Sequence, residues 1–484
     1  MRADHTYMQN KKAFYPSHLY LPSMCGIAGF VGENARRQTS LMIETLSHRG
    51  PDGSAIWGDD KVSFGHAHLK ITGDFSQPAS TDGLTFVYNG EIYNHSDFPS
   101  GFPSGGVSSD TGVLASILSR GGVEGFADVA LSINGEYAFA VWDGKRLVLF
   151  RDPVGIKPLY YGRSETGGFG FASERKALAR VGIRDIRSLT PGCVYSGGVE
   201  RRFIDLPPMQ AAITDEAEAV RLLDSALSGA VRMRLHKDAA ITFSGGVDSV
   251  LIGALAPEVP LLTVGMPGSF DVAAARNAAR LMGVEGRHVV YEITEKDVEE
   301  ALPGVIYAIE SAVPMKVAIA LPLYILSARA RSDGYRVLLS GQGSDELFAG
   351  YARYEATGRG GGGLQAMLDH DQHGLAGANL ERDDAVTMAS GLELRVPYLD
   401  LSLLGLARQI DPSLKLHVNG KDYIRKYVLR KVAEKYLPLE ISSAPKKAIQ
   451  YGTGVQKALE RIARNHGTDV PIYLQTLYNK VVLV

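Results

Sequence analysis

The hydrophobic rhythm of this chain changes once, near Asp205-Leu206-Pro207-Pro208, and the change splits what the 484 residues can fold into. From Gly26 to about Ile204, short alternating runs are separated by Gly, Asp and Pro, the period-2 signature of half-buried strands. Candidate strands are Leu84–Tyr88, Ala138–Trp142, Leu147–Arg151, Pro158–Tyr161 and Gly168–Ala172, with helices predicted at Thr39–Leu46 and Asp110–Leu118. Several such strands with few helices predict stacked antiparallel sheets. Beyond the change, Thr214 is the expected cap of a helix with Asp215 and Glu216 in its first turn, and Val220, Leu223, Leu227 and Val231 follow at helical spacing. Apolar runs at Ala239–Phe243, Leu261–Val264 and Arg336–Leu339 then alternate with helical stretches such as Ala273–Met282 and Leu321–Ala330. That is the rhythm of a parallel α/β sheet. The expected domains are 25–208 and 209–484, each large enough for its own core. Gly360–Gly363 is expected to be a surface loop.

With 51 Lys+Arg against 53 Asp+Glu the net charge is −2, far from the basic excess that a phosphate backbone would require, so no nucleic-acid partner is expected. No window approaches the roughly 18 apolar residues of a membrane span. The only cysteines, Cys25 and Cys193, are too few for a disulfide framework and suit a reducing cytosol, hence a cytoplasmic location. Residues 1–24 read as an extension or a misassigned start, absent from the mature chain. Met24 precedes Cys25 directly, and its removal would leave Cys25 as residue one.

An amino-terminal cysteine unites a thiol nucleophile with an α-amine of pKa about 7.7–8.0, a base that accepts the thiol proton near neutral pH. The motif that opens at Met24-Cys25-Gly26-Ile27-Ala28-Gly29-Phe30 is followed by Ser47-His48-Arg49-Gly50-Pro51-Asp52-Gly53, Tyr88-Asn89-Gly90-Glu91-Ile92-Tyr93-Asn94 and Ser109-Asp110-Thr111. Arg151–Tyr161 and Ala172-Ser173-Glu174 continue it. In this order the motifs resemble the glutaminase domain of class II, N-terminal-nucleophile amidotransferases, which implies an αββα fold. The resemblance gives the oxyanion hole to Asn89 and the Gly90 N–H, the glutamine carboxylate to Arg49 and its ammonium to Asp110, with Glu91 in the pocket. Taken singly, Arg49 reads as a surface ion pair, Asn89-Gly90 as a hairpin turn and Asp110 as a helix cap.

The strand Ala239–Phe243 runs into Ser244-Gly245-Gly246-Val247-Asp248-Ser249 and then a helix, an arrangement whose backbone N–H groups and helix N-terminus attract phosphate. No lysine follows, so this is not the nucleoside-triphosphatase loop. It resembles the PP-loop of ATP pyrophosphatases. A second acidic loop, Ser340-Gly341-Gln342-Gly343-Ser344-Asp345-Glu346, follows a second strand, and Asp248 and Asp345 are candidate Mg²⁺ ligands beside the phosphates. Asn379–Asp384, Met388, Gly391–Asp400 and Pro445–Ala448 resemble the C-terminal half of glutamine-dependent asparagine synthetases.

That resemblance implies an adenine-nucleotide-hydrolase-like sheet binding ATP through Ser244, Gly245, Gly246, Asp248, Ser249, Val264, Ser340 and Gly341, and it places Lys446 on the α-phosphate. It implies adenylation of the aspartate side chain, attack by ammonia from glutamine delivered through an enclosed passage, and release of AMP and pyrophosphate. It is also compatible with a homodimer. Where many such enzymes carry Glu, this chain has Gln342, which is no base; the candidates at the ammonia site are then Glu346 or Glu393 acting in its place, or Gln342 itself only orienting the reactants. A related amidotransferase acting on another carboxylic acid stays open, as does a nucleotide-binding regulator that has lost catalysis.

Overall fold

The computed structural model describes residues 24–69, 76–98, 109–358, 363–442 and 449–482. Two six-stranded antiparallel sheets occupy the first half. Edge to edge, the first runs Arg187–Ser188, Tyr160–Arg163, Phe169–Ala172, Met24–Val31, Val62–Leu69, Gly53–Gly58. The second runs Val199–Arg202, Cys193–Ser196, Leu147–Arg151, Gly135–Trp142, Leu84–Ile92, Ala79–Thr81.

Alternation along these strands sets the layers. Ile27, Phe64, Val87, Ala138 and Leu149 fill the space between the sheets. One position along, Ala28, Phe30 and Ala67 pack on Met42 and Ile43 of the helix Ala35–Thr45. Phe86, Tyr88, Phe139 and Val141 meet Val113, Leu114, Leu118 and Phe126 of the helix Asp110–Val129. The result is the αββα order expected. Each buried Phe or Leu stabilises it by about 1.5–3 kcal/mol, and a one-residue slip would exchange the faces.

The second half is built on a five-stranded parallel sheet, ordered His288–Glu292, Leu261–Gly265, Ala239–Thr242, Val337–Leu339, Glu393–Arg395. The central strand Ala239–Thr242 has its successors on one side and the later pair on the other, so the chain order switches there. Such a switch opens a crevice at the carboxyl ends of the strands, and the loops 244–249 and 340–346 both leave from those ends.

Three details differ from the sequence reading. Asp215, not Thr214, caps the helix Glu216–Met233, its Oδ1 accepting from Glu218 N at 2.7 Å. Tyr160 opens the strand predicted from Pro158, since proline lacks the N–H a ladder needs. Gly363 opens the helix Gly363–Leu375, while 360–362 lie outside the described residues. Among the described residues no single helix is long and apolar enough to cross a membrane.

Candidate active sites

Cys25, the second residue of the strand Met24–Val31, is fully buried. Its backbone N–H donates to Asn89 Oδ1 at 3.2 Å, across the gap between the sheets. Asn89 and Gly90 form no hairpin turn: they lie inside the strand Leu84–Ile92, opposite Ala138 and Tyr137. A Cβ at Gly90 would stand 2.3 Å from the Glu136 carbonyl oxygen, so only glycine lets the strands close there. Burial pushes the Cys25 thiol up to about 12, against the opposing pull of the Leu69 backbone and Arg49.

Arg49 is no surface ion pair. It is wholly buried, its Nη1 donating to Glu174 at 3.0 Å and to Asp384 at 2.8 Å, its Nε to the Cys25 carbonyl at 3.4 Å. Burial raises the Glu174 carboxyl, but His48, Lys176 and Arg49 together hold it well below its usual range. Asp110 is not the helix cap either, since Ser109 Oγ accepts from Gly112 N at 3.1 Å. Asp110 Oδ1 accepts from Thr111 N at 2.6 Å, and burial pushes this carboxyl up to about 7.

Around the thiol, Asn89 Nδ2, Arg49 Nη2 and Asp110 Oδ2 are buried without a hydrogen-bond partner among the described residues. Orphaned groups of this kind each cost about 1–3 kcal/mol, more when charged. A neutral amide donor, a guanidinium and a carboxyl are the complements of an oxyanion, a carboxylate and an ammonium.

Glu91 lies 3.5 Å from Arg395, which also binds Glu393 and lies with Arg234 against the Tyr93 ring. Burial outweighs Arg395 and holds the Glu91 carboxyl well above its usual range. Tyr93 donates to Glu136 at 2.8 Å, and Lys157 pairs with the same carboxylate at 3.0 Å. This buried cluster connects the strand of Asn89 with the last strand of the parallel sheet.

The crevice of the parallel sheet holds a cavity of about 480 Å³. Ser244, Asp248, Ser249, Val264, Ser340, Gly341, Gln342 and Asp345 line it, together with Arg382, Asp383 and Gln450. Gly245 takes φ +77°, and a Cβ there would strike the Ala274 carbonyl carbon at 2.5 Å. Gly246 precedes the helix Val247–Leu255 as its N-cap residue. Lys426 Nζ joins the two loops, reaching both Asp248 oxygens at 2.6 Å, Asp345 at 2.7 Å and Ser344 Oγ at 2.9 Å.

The candidate ammonia-site residues separate. Gln342 faces the cavity. Glu346 lies behind its wall, its Oε1 accepting from Tyr351 and Asn379 at 2.6 and 2.9 Å, and burial raises its carboxyl. Glu393 is buried in the cluster with Arg395, away from the cavity lining. Lys446 lies outside the described residues. Sequence reasoning did not mention Lys426, and it quoted Glu174, Asp384 and Arg395 only as parts of longer motifs, with no role assigned. Their signal is their burial as charges, which the chain's one-dimensional pattern does not carry.

Residues 24–189 match the glutamine amidotransferase domain family, and residues 222–363 and 356–480 match the asparagine synthase family. A Methanocaldococcus jannaschii protein named as a glutamine-hydrolysing asparagine synthetase is 32% identical, over 95% of this chain and 99% of its own. Glutamine-hydrolysing asparagine synthetase 2 of Arabidopsis thaliana is 31% identical over 92% of this chain and 82% of its own. Asparagine synthetase B of Escherichia coli K12 is 29% identical over 92% and 86%. With both halves matched and these relatives covered over 82–99% of their own lengths, the chain belongs to the glutamine-hydrolysing asparagine synthetase family.

Proposed function

We propose that this protein converts aspartate, glutamine and ATP to asparagine, glutamate, AMP and pyrophosphate. The observation that carries the reading is the buried link between its two sites. Arg49, beside the thiol, is held by Asp384, whose neighbours Arg382 and Asp383 line the cavity. One chain thus joins a nucleophile pocket to an anion-binding crevice.

In the first site the Cys25 thiolate attacks the glutamine side-chain amide, with Asn89 Nδ2 and the Gly90 N–H as donors to the oxyanion. Arg49 Nη2 takes the substrate carboxylate and Asp110 its ammonium. In the second, the loops 244–249 and 340–346 hold the ATP phosphates while the aspartate side chain attacks the α-phosphorus and pyrophosphate leaves. Ammonia then displaces AMP from the mixed anhydride. The cluster of Glu91, Arg395 and Glu393 lies where ammonia would cross.

Asp248 and Asp345 fit a Mg²⁺ ion, because their oxygens converge on one cation already and are the hard donors magnesium takes, usually as one or two carboxylates plus phosphate oxygens. One lysine against two carboxylates leaves negative charge to neutralise. When bound, the ion would offset charge on the departing pyrophosphate. Lys426 meanwhile holds the two loops in register.

Aspartate-dependent ATP–pyrophosphate exchange tests the acceptor. Exchange with aspartate and none with other carboxylic acids is expected; a preference for another acid would overturn the assignment.

The raised Asp110 carboxyl sets a pH dependence. Protonated below about 7 in the empty pocket, it must ionise to pair with the ammonium, so glutamine binding opposes a proton. KM for glutamine is expected to be level above pH 8 and to rise about tenfold per unit below pH 7. A flat KM from pH 8 to 6 would remove Asp110 from the ammonium site.

Gln342 shares its cavity with Asp248, Asp271, Asp345 and Asp383. A further carboxylate in that company repels both aspartate and phosphates, so Gln342→Glu is expected to slow adenylation by roughly tenfold. Positional isotope exchange in ATP reads that step alone. Normal exchange together with faster asparagine formation would show instead that the position lacks only a base.

A further inference from the structure

Three metal-binding side chains meet behind the nucleophile. The strand Val62–Leu69 runs antiparallel to Met24–Val31, with His68 opposite Cys25 and His66 opposite Ile27. Residues two apart share a strand face, and the two imidazoles stand 5.6 Å apart between ring centres. The Cys25 sulfur and one nitrogen from each histidine all lie within 4.8 Å of one another. Sγ is 3.8 Å from His68 Nδ1. His66 is 2% exposed, and its Nε2 has no hydrogen-bond partner among the described residues. Glutamine hydrolysis by an amino-terminal cysteine, whose own amine is the base, uses neither imidazole.

We propose that Cys25, His66 and His68 form a Zn²⁺ site that ties up the glutaminase thiol when it is filled. One thiolate and two imidazoles are a donor set that suits zinc and disfavours the hard cations. Bonds of about 2.3 Å to sulfur and 2.0 Å to nitrogen put tetrahedral ligands about 3.5 Å apart. The three donor atoms, within 4.8 Å of one another, would have to draw together to that spacing on binding. Three protein ligands leave a fourth position open to water. On binding, the sulfur gives its proton to solvent and its electron pair to the metal, and the pair is then withheld from the amide carbon. Metal binding does not depend on Cys25 being the nucleophile; the loss of hydrolysis rests on that reading.

Co²⁺ titrated into the metal-free full chain, without ATP, reports a sulfur ligand by its thiolate-to-cobalt charge-transfer band. The band is expected to saturate at one equivalent and to be absent in Cys25→Ser. Cys193, which has no place in this cluster, serves as the internal control. Zn²⁺ is expected to inhibit glutamine hydrolysis reversibly under chelation, and His66→Gln to weaken that inhibition by more than about tenfold. No band, a band that persists in Cys25→Ser, or equal inhibition of both proteins would overturn the site. A saturating, Cys25-dependent band in protein whose intact mass shows Cys25 at its amino terminus, yet which hydrolyses no glutamine, would uphold the metal site and reject Cys25 as nucleophile.

Discussion

Cys25→Ala is expected to lower glutamine-dependent synthesis by on the order of 10³-fold or more while synthesis from ammonium salts persists. The thiol serves only ammonia release, and the adenylation cavity is lined without it. Its loss removes one buried sulfur, a change of about 1 kcal/mol in a sheet held by both neighbouring strands. The fold should therefore survive, which circular dichroism checks. Burial raises the thiol, and the reading in which its proton goes to the residue's own amine requires Cys25 at the amino terminus, because with residues before it the Cys25 nitrogen is an amide. Intact mass of the active protein is accordingly expected to show Cys25 at its amino terminus. Loss of both activities in a folded variant, or full glutaminase in a chain that begins at Met1, would refute this division.

What the sequence discloses depends on whether a residue's neighbours lie along the chain or across it. Short runs of strand-forming residues between turn residues, such as Leu84–Tyr88 and Ala138–Trp142, exposed the stacked sheets, because both buried faces of each strand are written in its own residues. The loop Ser244–Ser249 was legible for the same reason: strand, glycine turn and helix are contiguous. Glu393-Leu394-Arg395 reads as a polar stretch, yet it is a wholly buried edge strand of the parallel sheet, where Arg395 pairs with Glu393 and approaches Glu91. His288–Glu292 escaped because it is an edge strand, paired on one side only and mostly part-exposed. Arg49 was named, but its hold on Asp384 spans 335 positions. No local pattern records a contact of that separation. Asn89-Gly90 shows the opposite failure, a strong local turn signal overridden because the tight approach at Gly90 is needed between strands.

Asp248→Asn and Asp345→Asn are each expected to reduce synthesis with either nitrogen source by about 10²-fold, corresponding to roughly 3 kcal/mol of transition-state stabilisation, while glutamine hydrolysis survives. Both carboxylates converge on Lys426 from loops that leave neighbouring parallel strands. Either substitution removes one negative charge from that convergence and leaves Lys426 more weakly anchored beside the phosphates. A buried ion pair that loses a partner costs about 3–5 kcal/mol when the survivor is stranded. Here Lys426 keeps the other aspartate and Ser344, so a smaller loss is expected and thermal unfolding should remain cooperative. Weaker coupling between the sites would appear as glutamine consumed without asparagine formed, because Arg49 and Asp384 still hold the first site to the cavity wall. Raising Mg²⁺ should recover part of the lost rate if a weakened cation site is the cause, whereas added Mg²⁺ would do nothing for a displaced loop. Unchanged ammonia-dependent synthesis in both variants would mean that the phosphates and their counter-charge lie elsewhere in the chain.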